Sequence, residues 1–166
     1  TLGVPIHRGY FIEDVNTVEV GWWPERECNA AFLQLAGQEG FTEARVTEIP
    51  PGKTLPPLKF SLDDLVYVAD GRGLTTISRG KGQPDIVFEW QKHSLFLLPH
   101  SHTYQLTNTQ GDKPVRLLHQ NYLPLAMQTR ADLGFYFNNP MEDPGRLSSG
   151  DGEFYAEAKA QRIDAG

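Results

Sequence analysis

The sequence predicts an all-β fold, and two observations support this class most directly. The chain has 166 residues, including 12 prolines, 16 glycines and 9 phenylalanines. With frequent Val, Thr and Tyr, this composition favours strands joined by turns over long helices. Between Asn16 and Pro124, short apolar stretches recur between turn signals, which is the spacing expected of a β-sandwich or barrel. The length suits one domain with its own core.

The expected strands follow one another at short intervals. In chain order they cover residues 17–20, 30–35, 43–49, 65–69, 74–78, 86–90, 94–98, 103–107 and 115–122. Ile86, Phe88 and Trp90 alternate with the residues between them, so this strand should have one buried face. The connections around Gly71, Gly80 and Gly111 are short, which implies antiparallel neighbours.

The chain is expected to have three parts: an N-terminal arm at 1–28, a barrel at 29–125, and a C-terminal arm and linker at 126–166. In the last part, residues 135–137 are aromatic and should pack against the barrel. A short helix is predicted at about 153–162, capped by Ser149 or Asp151, with Phe154 and Ala158 on one face. So short a helix needs a surface to dock on. The first residue is Thr1 and not Met, which is compatible with a piece excised from a longer protein.

Charge and composition narrow the classes of partner. The formal net charge is −6 and there is no cluster of Lys or Arg, which argues against nucleic-acid binding. No apolar run approaches the roughly 18 residues of a membrane span, and no signal-peptide pattern opens the chain, so a cytoplasmic location is expected. Cys28 is the only cysteine, which excludes an internal disulfide and a cysteine-based zinc site. We interpret it as a small buried apolar residue.

Two runs of residues have the spacing of a known pair of motifs. Gly52, Leu58, Phe60, Asp64 and Gly71 occupy the slots of a motif that reads Gly, five residues, His, one residue, His, three or four residues, Glu, six residues, Gly. The companion motif has Gly, Pro, Gly, His and Asn, and its slots hold His93, Pro99, Ser101, Tyr104 and Asn108. These are the two motifs of the cupin family, which the stretch 52–108 resembles. The barrel-like pattern extends the resemblance to about 30–124.

The resemblance implies a jelly-roll barrel, or double-stranded β-helix, whose mouth holds a metal ion or a small ligand. In cupins the two His and the Glu of the first motif, with the His of the second, bind the metal. Here these slots hold Leu58, Phe60, Asp64 and Tyr104. Leu and Phe have no lone pair, so a cupin-type metal is not expected. The alternative cofactor is a first-row divalent metal held by His100, His102 and His119, of which the first two share one face of an extended segment.

The resemblance extends to the N-terminal half of a group of uncharacterised bacterial two-cupin proteins. It implies two roles for a metal-free domain: binding a small organic ligand in an apolar pocket, or serving as the structural and dimerising half of a two-cupin protein. The pocket candidates are Leu58, Phe60, Asp64, His102, Tyr104 and His119, with Val66 and Val68 on the floor. We also expect a homodimer, for which the aromatic N-terminal arm is suited.

An enzyme is the alternative of a different class. One form is a metal-dependent oxygenase or isomerase that uses His100, His102 and His119. The other is a metal-free isomerase or lyase with His102 or His119 as general base and Tyr104 as acid, because proton transfer needs a base of near-neutral pKa and an acid within reach. The sequence names no ligand, substrate or reaction.

Overall fold

The computed structural model describes residues 3–80, 82–142, 147 and 155–162, and in these the chain folds into two facing β-sheets. The strands are β1 (Ile6–Gly9), β2 (Gly21–Trp23), β3 (Cys28–Leu35), β4 (Glu43–Ile49), β5 (Leu58–Lys59), β6 (Asp64–Asp70), β7 (Arg72–Ile77), β8 (Ile86–Gln91), β9 (Leu95–Leu98), β10 (Thr103–Asn108) and β11 (Val115–Asn121). One sheet has the order β1-β3-β4-β11-β6-β9, with β2 also paired to β3. The other has the order β5-β10-β7-β8. This arrangement confirms the all-β jelly-roll prediction.

The alternation of apolar residues located most strands within one or two residues. The strand predicted at 43–49 matches β4 at both ends, and the predicted face of Ile86, Phe88 and Trp90 is the less exposed face of β8. The strand predicted at 17–20 is wrong, because this stretch is a turn and the strand begins at Gly21. Strands β1 and β5 were not predicted. Both are short, and their position is fixed by pairing with β3 and β10.

The N-terminal segment adds strands to the chain's own sheet. Strand β2 pairs antiparallel with the start of β3, and β1 pairs parallel with its end, so both lie along one edge of β3. Beyond these strands, Val18 packs with Ala31, Leu33 and Val46 in a small core on the outer side of this sheet. The N-terminal segment is therefore part of the barrel wall. This explains why β4 has buried residues on both of its faces, with Val46 in the outer core and Ile49 in the main core.

The main core lies between the two sheets. It contains Val66, Val68, Ile77, Trp90 and Leu117 among other buried apolar residues.

At one end of the barrel, Asn108 in the second motif joins neighbouring loops. Its Nδ2 donates to the carbonyl oxygens of Ile49, Pro50 and Lys113 at 3.1, 3.2 and 2.9 Å. The motif asparagine thus has a structural role in this chain, since a buried amide must find acceptors for its protons.

Two short helices follow the last strand. Helix α1 (Leu123–Thr129) and helix α2 (Leu133–Phe137) pack over the barrel end near Phe60 through the buried Tyr136. Phe137 also stacks on Phe60, with ring centroids 5.0 Å apart. The prediction that residues 135–137 pack on the barrel is confirmed.

The helix predicted at 153–162 is wrong where it can be examined. Residues 155–162 form a turn followed by irregular chain, and 153–154 and both predicted caps lie outside the described residues. Tyr155 stacks on Phe88 at 3.8 Å, whereas residues 156–162 are exposed. A segment anchored by one residue lacks the docked face that so short a helix requires. Within the described ranges, no helix is both long and apolar enough to cross a membrane.

Candidate ligand-binding site

A cavity of about 610 Å³ opens within the barrel, lined by residues from both sheets and both helices. Most of its wall is hydrocarbon, contributed by Leu55, Leu58, Phe60, Leu106, Met127 and Phe137 among others. The polar lining groups are Arg26, Glu43, Arg45, Thr47, Tyr104 and His119. An apolar wall with a few polar groups is the usual construction of a small-molecule pocket.

Four of the six predicted pocket residues line this cavity: Leu58, Phe60, Tyr104 and His119. Asp64 is buried directly behind His119 and is not part of the lining. His102 is also not among the lining residues. Val66 and Val68 do not form the floor as predicted, because both are fully buried in the core between the sheets.

Asp64 is held by three donors. Its Oδ2 accepts hydrogen bonds from Nη2 of Arg45 at 2.9 Å and from Nδ1 of His119 at 2.8 Å. Its Oδ1 accepts from Nδ2 of Asn121 at 3.2 Å. Arg45 also pairs with Glu43, from Nη1 to Oε1 at 2.8 Å. The carboxylate therefore has the partners that a buried charge requires.

The register of three strands creates this cluster. Arg45 on β4 lies opposite His119 on β11, and His119 lies opposite Val66 on β6. Glu43, Arg45 and Thr47 alternate along β4 and face inward together, because successive side chains of a strand point to opposite faces. Asp64 at the start of β6 then reaches both Arg45 and His119.

The charges of the cluster follow from its partners. Burial would raise the pKa of Asp64, but Arg45 and His119 outweigh burial and hold this pKa well below its ordinary value. Burial would lower the pKa of Arg45, and the carboxylates of Asp64 and Glu43 instead raise it. Burial and the Arg45 charge lower the pKa of His119 despite Asp64. At neutral pH we therefore assign an ionised Asp64, a charged Arg45 and a neutral His119.

The hydrogen bonds fix the tautomer of His119. Since Asp64 can only accept, Nδ1 carries the proton and donates to Oδ2. The other ring nitrogen, Nε2, then accepts from the hydroxyl of Thr47 at 2.8 Å. The short distance of 3.3 Å between Nη2 of Arg45 and Nδ1 of His119 results from both donors converging on the same oxygen.

Tyr104 and Arg26 differ from this cluster because their polar ends have no partner among the residues that the structure describes. Neither forms a hydrogen bond or ion pair with a residue in the ranges 3–80, 82–142, 147 and 155–162, although both line the cavity. Burial raises the pKa of the Tyr104 phenol, aided by the charge of Asp64, so the hydroxyl keeps its proton. Burial also raises the pKa of the neighbouring Cys28 thiol to about 11. Cys28 is fully buried, as predicted.

A cupin-type metal does not fit this site. Of the four family ligand slots, Leu58 and Phe60 supply no lone pair, and Tyr104 is a neutral phenol. The remaining donor, Asp64, is already bound by Arg45, whose positive charge would repel a cation. Across the part of the chain that the structure describes, no three His, Cys, Asp or Glu side chains are grouped to hold a metal ion.

The alternative histidine set is not assembled either. His102 lies in the turn before β10, where its Nδ1 donates to the carbonyl oxygen of His100 at 2.8 Å. The backbone N–H of His100 donates to Oδ1 of Asp63, and its Nδ1 lies 3.3 Å from the hydroxyl of Ser101. His119 instead faces Asp64 and Thr47. Both loop histidines thus have local hydrogen-bonding roles, and His100, His102 and His119 do not form the predicted metal set.

Sequence reasoning missed the basic residues of the cavity. Arg26 lies in the 3-10 turn Pro24–Arg26, within the segment interpreted as an arm, and Arg45 lies on a strand examined only for its apolar residues. Two signals in the sequence point to Arg45. A carboxylate at Asp64 inside an apolar barrel needs a cation nearby, and the polar residues Glu43, Arg45 and Thr47 alternate along one predicted strand, so they share a face. Nothing in the sequence indicated Arg26.

Comparisons with known proteins identify the fold. No protein-family model matches the chain, and the search of curated proteins found no match. Among solved structures, the Cnp3 cupin domain of Schizosaccharomyces pombe aligns with a TM-score of 0.54 and 19% identity, over 71% of this chain and 78% of that one. Vicilin from Capsicum annuum aligns with a TM-score of 0.53 and 14% identity, over 66% of this chain and 30% of its own. The capsular polysaccharide assembling protein CapF from Staphylococcus aureus aligns with a TM-score of 0.51 and 13% identity, over 63% of this chain and 30% of its own.

The chain is therefore a protein of the cupin fold, as the motif spacing predicted. The likeness does not extend to the more specific resemblance to two-cupin proteins, which the comparisons do not support. The aligned proteins have unrelated names and low identity to this chain, so they carry no activity over to it. The function has to be argued from the cavity.

Proposed function

We propose that this chain binds a small organic molecule in the barrel cavity, without a metal ion. The observation that supports this proposal is the cavity of about 610 Å³. It lies where a cupin would bind its metal, because Leu58, Phe60 and Tyr104, which occupy three of the four metal-ligand slots, line it. Pockets for small molecules span about 300–1,000 Å³, so the volume suits one such ligand. Replacing metal donors by hydrocarbon converts an ion site into an apolar one.

The helices after the barrel support the same reading. Leu123 and Met127 of α1 and Phe137 of α2 complete the cavity wall on the side that the strands leave open. Phe137 is held there by stacking on Phe60. Apolar side chains in this position keep water from the ligand, because the surface they share with it is removed from solvent.

Binding of N-phenyl-1-naphthylamine, an uncharged dye whose fluorescence rises in apolar surroundings, tests this proposal. We expect saturable binding of one dye per chain. Leu58→Trp should fill part of the cavity and weaken binding by at least ~10-fold, because the dye and the new indole compete for the same space. Leu95→Trp is the matched control, since Leu95 is 63% exposed on the outer face of β9 and lies outside the cavity. Equal dye binding by the two variants would contradict the proposal.

An enzyme that moves protons without a metal is the second candidate, and the position of His119 favours it. This side chain lines the cavity, and its Nδ1 is held by Asp64 while its Nε2 contacts the hydroxyl of Thr47, another lining residue. A neutral histidine oriented by a carboxylate can act as a general base if the Thr47 hydroxyl yields its place to a substrate. If an isomerase or lyase activity is found, His119→Asn should lower kcat at least ~100-fold, since the amide keeps the bond to Asp64 and removes the base. Unchanged kcat would rule out this role.

A structural role in assembly is supported by a different surface. Leu65, Leu95 and Leu97 are exposed on the outer faces of paired strands β6 and β9, and β9 is the edge of its sheet. We propose a homodimer through this face, which sedimentation equilibrium can measure. Leu95→Glu should shift the protein toward monomer because it places a charge in the interface. A second cupin domain as partner and a cytoplasmic location stay predictions from the sequence.

A further inference from the structure

One cation in the cavity has no counter-charge in the described part of the chain. Arg26 lines the cavity, and its guanidinium forms no ion pair or hydrogen bond with any residue that the structure describes. The other arginine of the wall, Arg45, is bound by the carboxylates of both Glu43 and Asp64. The same cavity thus contains one arginine that is neutralised by two carboxylates and one for which the described residues supply no counter-charge.

The backbone holds Arg26 at the rim of the barrel. Arg26 ends a 3-10 turn, and the following Glu27 adopts a left-handed conformation with φ 51° and ψ 36°, which is uncommon for a residue with a side chain. Strand β3 then begins at Cys28. The turn is closed by a hydrogen bond from the Glu27 N–H to the carbonyl oxygen of Pro24 at 3.2 Å. Arg26 is therefore attached to a fixed turn next to the cavity wall.

Two neutral donors line the cavity together with Arg26. Tyr104 and Cys28 both keep their protons at neutral pH, because burial raises their pKa values. Burial lowers the pKa of Arg26, which means that its charge is poorly solvated. An anion in the cavity would restore the lost solvation, and the hydroxyl of Tyr104, which has no partner among the described residues, can donate to it.

We propose that the ligand of this cavity is a carboxylate with an apolar body, whose carboxylate pairs with Arg26 and accepts a hydrogen bond from Tyr104. The inference rests on the proposed binding function and specifies its ligand class. The planar guanidinium matches the two oxygens of a carboxylate. A dianion such as a phosphate monoester suits the site less well, because Glu43 lines the same cavity and, with Asp64, outnumbers the single charge of Arg45.

Displacement of bound N-phenyl-1-naphthylamine by octanoate and by octanamide tests the proposal. The two competitors have the same apolar body and nearly the same shape, and they differ in charge. On the wild-type protein near neutral pH, octanoate should displace the dye at a concentration at least ~10-fold lower than octanamide. Equal potency of the two compounds, or displacement by neither, would overturn the inference.

Two variants assign the preference to named groups. Arg26→Met should lose the preference for octanoate over octanamide, with both competitors measured against that variant's own dye affinity, while Tyr104→Phe should keep a reduced preference. Arg8→Met is the control, because Arg8 donates to Gln34 outside the cavity, and it should keep the full preference. A preference that survives in Arg26→Met would contradict the role of Arg26. Absence of dye binding to the wild type would instead count against the binding function itself.

Discussion

Nη2 of Arg45 donates a hydrogen bond of 2.9 Å to Oδ2 of Asp64, so an arginine on β4 supplies the positive charge next to the carboxylate that occupies a cupin metal slot. The side chains are 12% and 1% exposed. In a metal-binding cupin such a carboxylate would face the ion. Here its charge is satisfied by the protein, which leaves the barrel centre free to be apolar.

Removing Arg45 should destabilise the protein strongly. Arg45→Met leaves the carboxylates of Asp64 and Glu43 without their cation, and breaking a buried ion pair from one side costs about 3–5 kcal/mol. Urea unfolding at neutral pH measures the change in the free energy of unfolding. Lys92→Met is the control, because Lys92 and its partner Asp70 are 53% and 41% exposed, and losing such a pair costs at most about 1 kcal/mol. Similar losses of stability in the two variants would contradict a stabilising role for the buried ion pair.

The double variant Arg45→Met with Asp64→Asn gives a second test of the same pair. Neutralising Asp64 removes one of the two carboxylate charges that Arg45→Met leaves without a cation, and it is the more deeply buried one. The double variant should therefore lose less free energy of unfolding than the two single variants lose together, as expected for residues in direct contact. Additive losses would show that the two side chains contribute independently.

Stability should fall as the pH drops below 6.5, the ordinary value for histidine. His119 is neutral in the folded state because burial lowers its pKa, whereas the unfolded chain takes up a proton near pH 6.5. The unfolded state then binds more protons, so the free energy of unfolding decreases from that pH down to the lowered folded pKa. Asp64 adds a further loss only below its ordinary pKa of 3.8, because its folded pKa is also lowered.

The substitution His119→Asn should remove most of this pH dependence between about pH 7 and pH 5. Urea unfolding at several pH values gives the slope of the free energy of unfolding against pH. Losing the hydrogen bond to Thr47 lowers this free energy by the same amount at each pH, so it does not change the slope. His93→Asn is the matched control, because His93 is exposed and its φ of 74° is one that asparagine tolerates. A slope that persists in His119→Asn would mean that another group takes up the proton.

The hydroxyl of Tyr104 should contribute little to stability. It has no hydrogen-bond partner among the described residues, so Tyr104→Phe should change the free energy of unfolding by less than about 0.5 kcal/mol. Thr75→Val is the comparison, because the Thr75 hydroxyl accepts from the Nε1–H of Trp90 at 2.9 Å. Leaving that buried donor unpaired should cost about 1–3 kcal/mol. A loss in Tyr104→Phe as large as in Thr75→Val would show that the hydroxyl is bonded within the protein.

Asn108 should be important for stability although it occupies a motif slot associated with the family's site. Its amide donates to three carbonyl oxygens, and its Oδ1 accepts from the N–H of Gln110 at 2.8 Å. Asn108→Ala should therefore cost about 1–3 kcal/mol in thermal or urea unfolding. Asn16→Ala, at an exposed position, should cost less than about 0.5 kcal/mol. Equal losses would mean that the network around Asn108 does not stabilise the fold.

The sequence predicted the barrel well because a strand with one buried face leaves a period of two in its apolar residues. Residues 86–90 show this pattern, and the strand was located as β8. Strand β5 contains two residues and carries no period, so its pairing with β10 became visible only in the structure. The helix predicted at 153–162 is not formed over 155–162. Residues 156–162 are exposed, so helix propensity there is not reinforced by packing against the barrel.

Motif spacing and sheet pairing supply different parts of the candidate site. Leu58, Phe60 and Tyr104 were placed at the cavity by the spacing of their motifs. Arg45 reaches Asp64 only because β4 and β6 both pair with β11, which no local pattern encodes. Arg26 lies far from both motifs along the chain, so its position required the folded turn.

Metal content after loading tests the central claim most directly. The claim is that Arg45, and not a metal ion, neutralises Asp64, while hydrocarbon replaces the other cupin ligands. The purified protein is incubated with Mn²⁺, Ni²⁺ or Zn²⁺, desalted, and analysed for bound metal per chain. The account predicts that the chain retains none of the three ions in a stoichiometric amount. One tightly bound ion per chain, lost on the change Asp64→Asn, would contradict it.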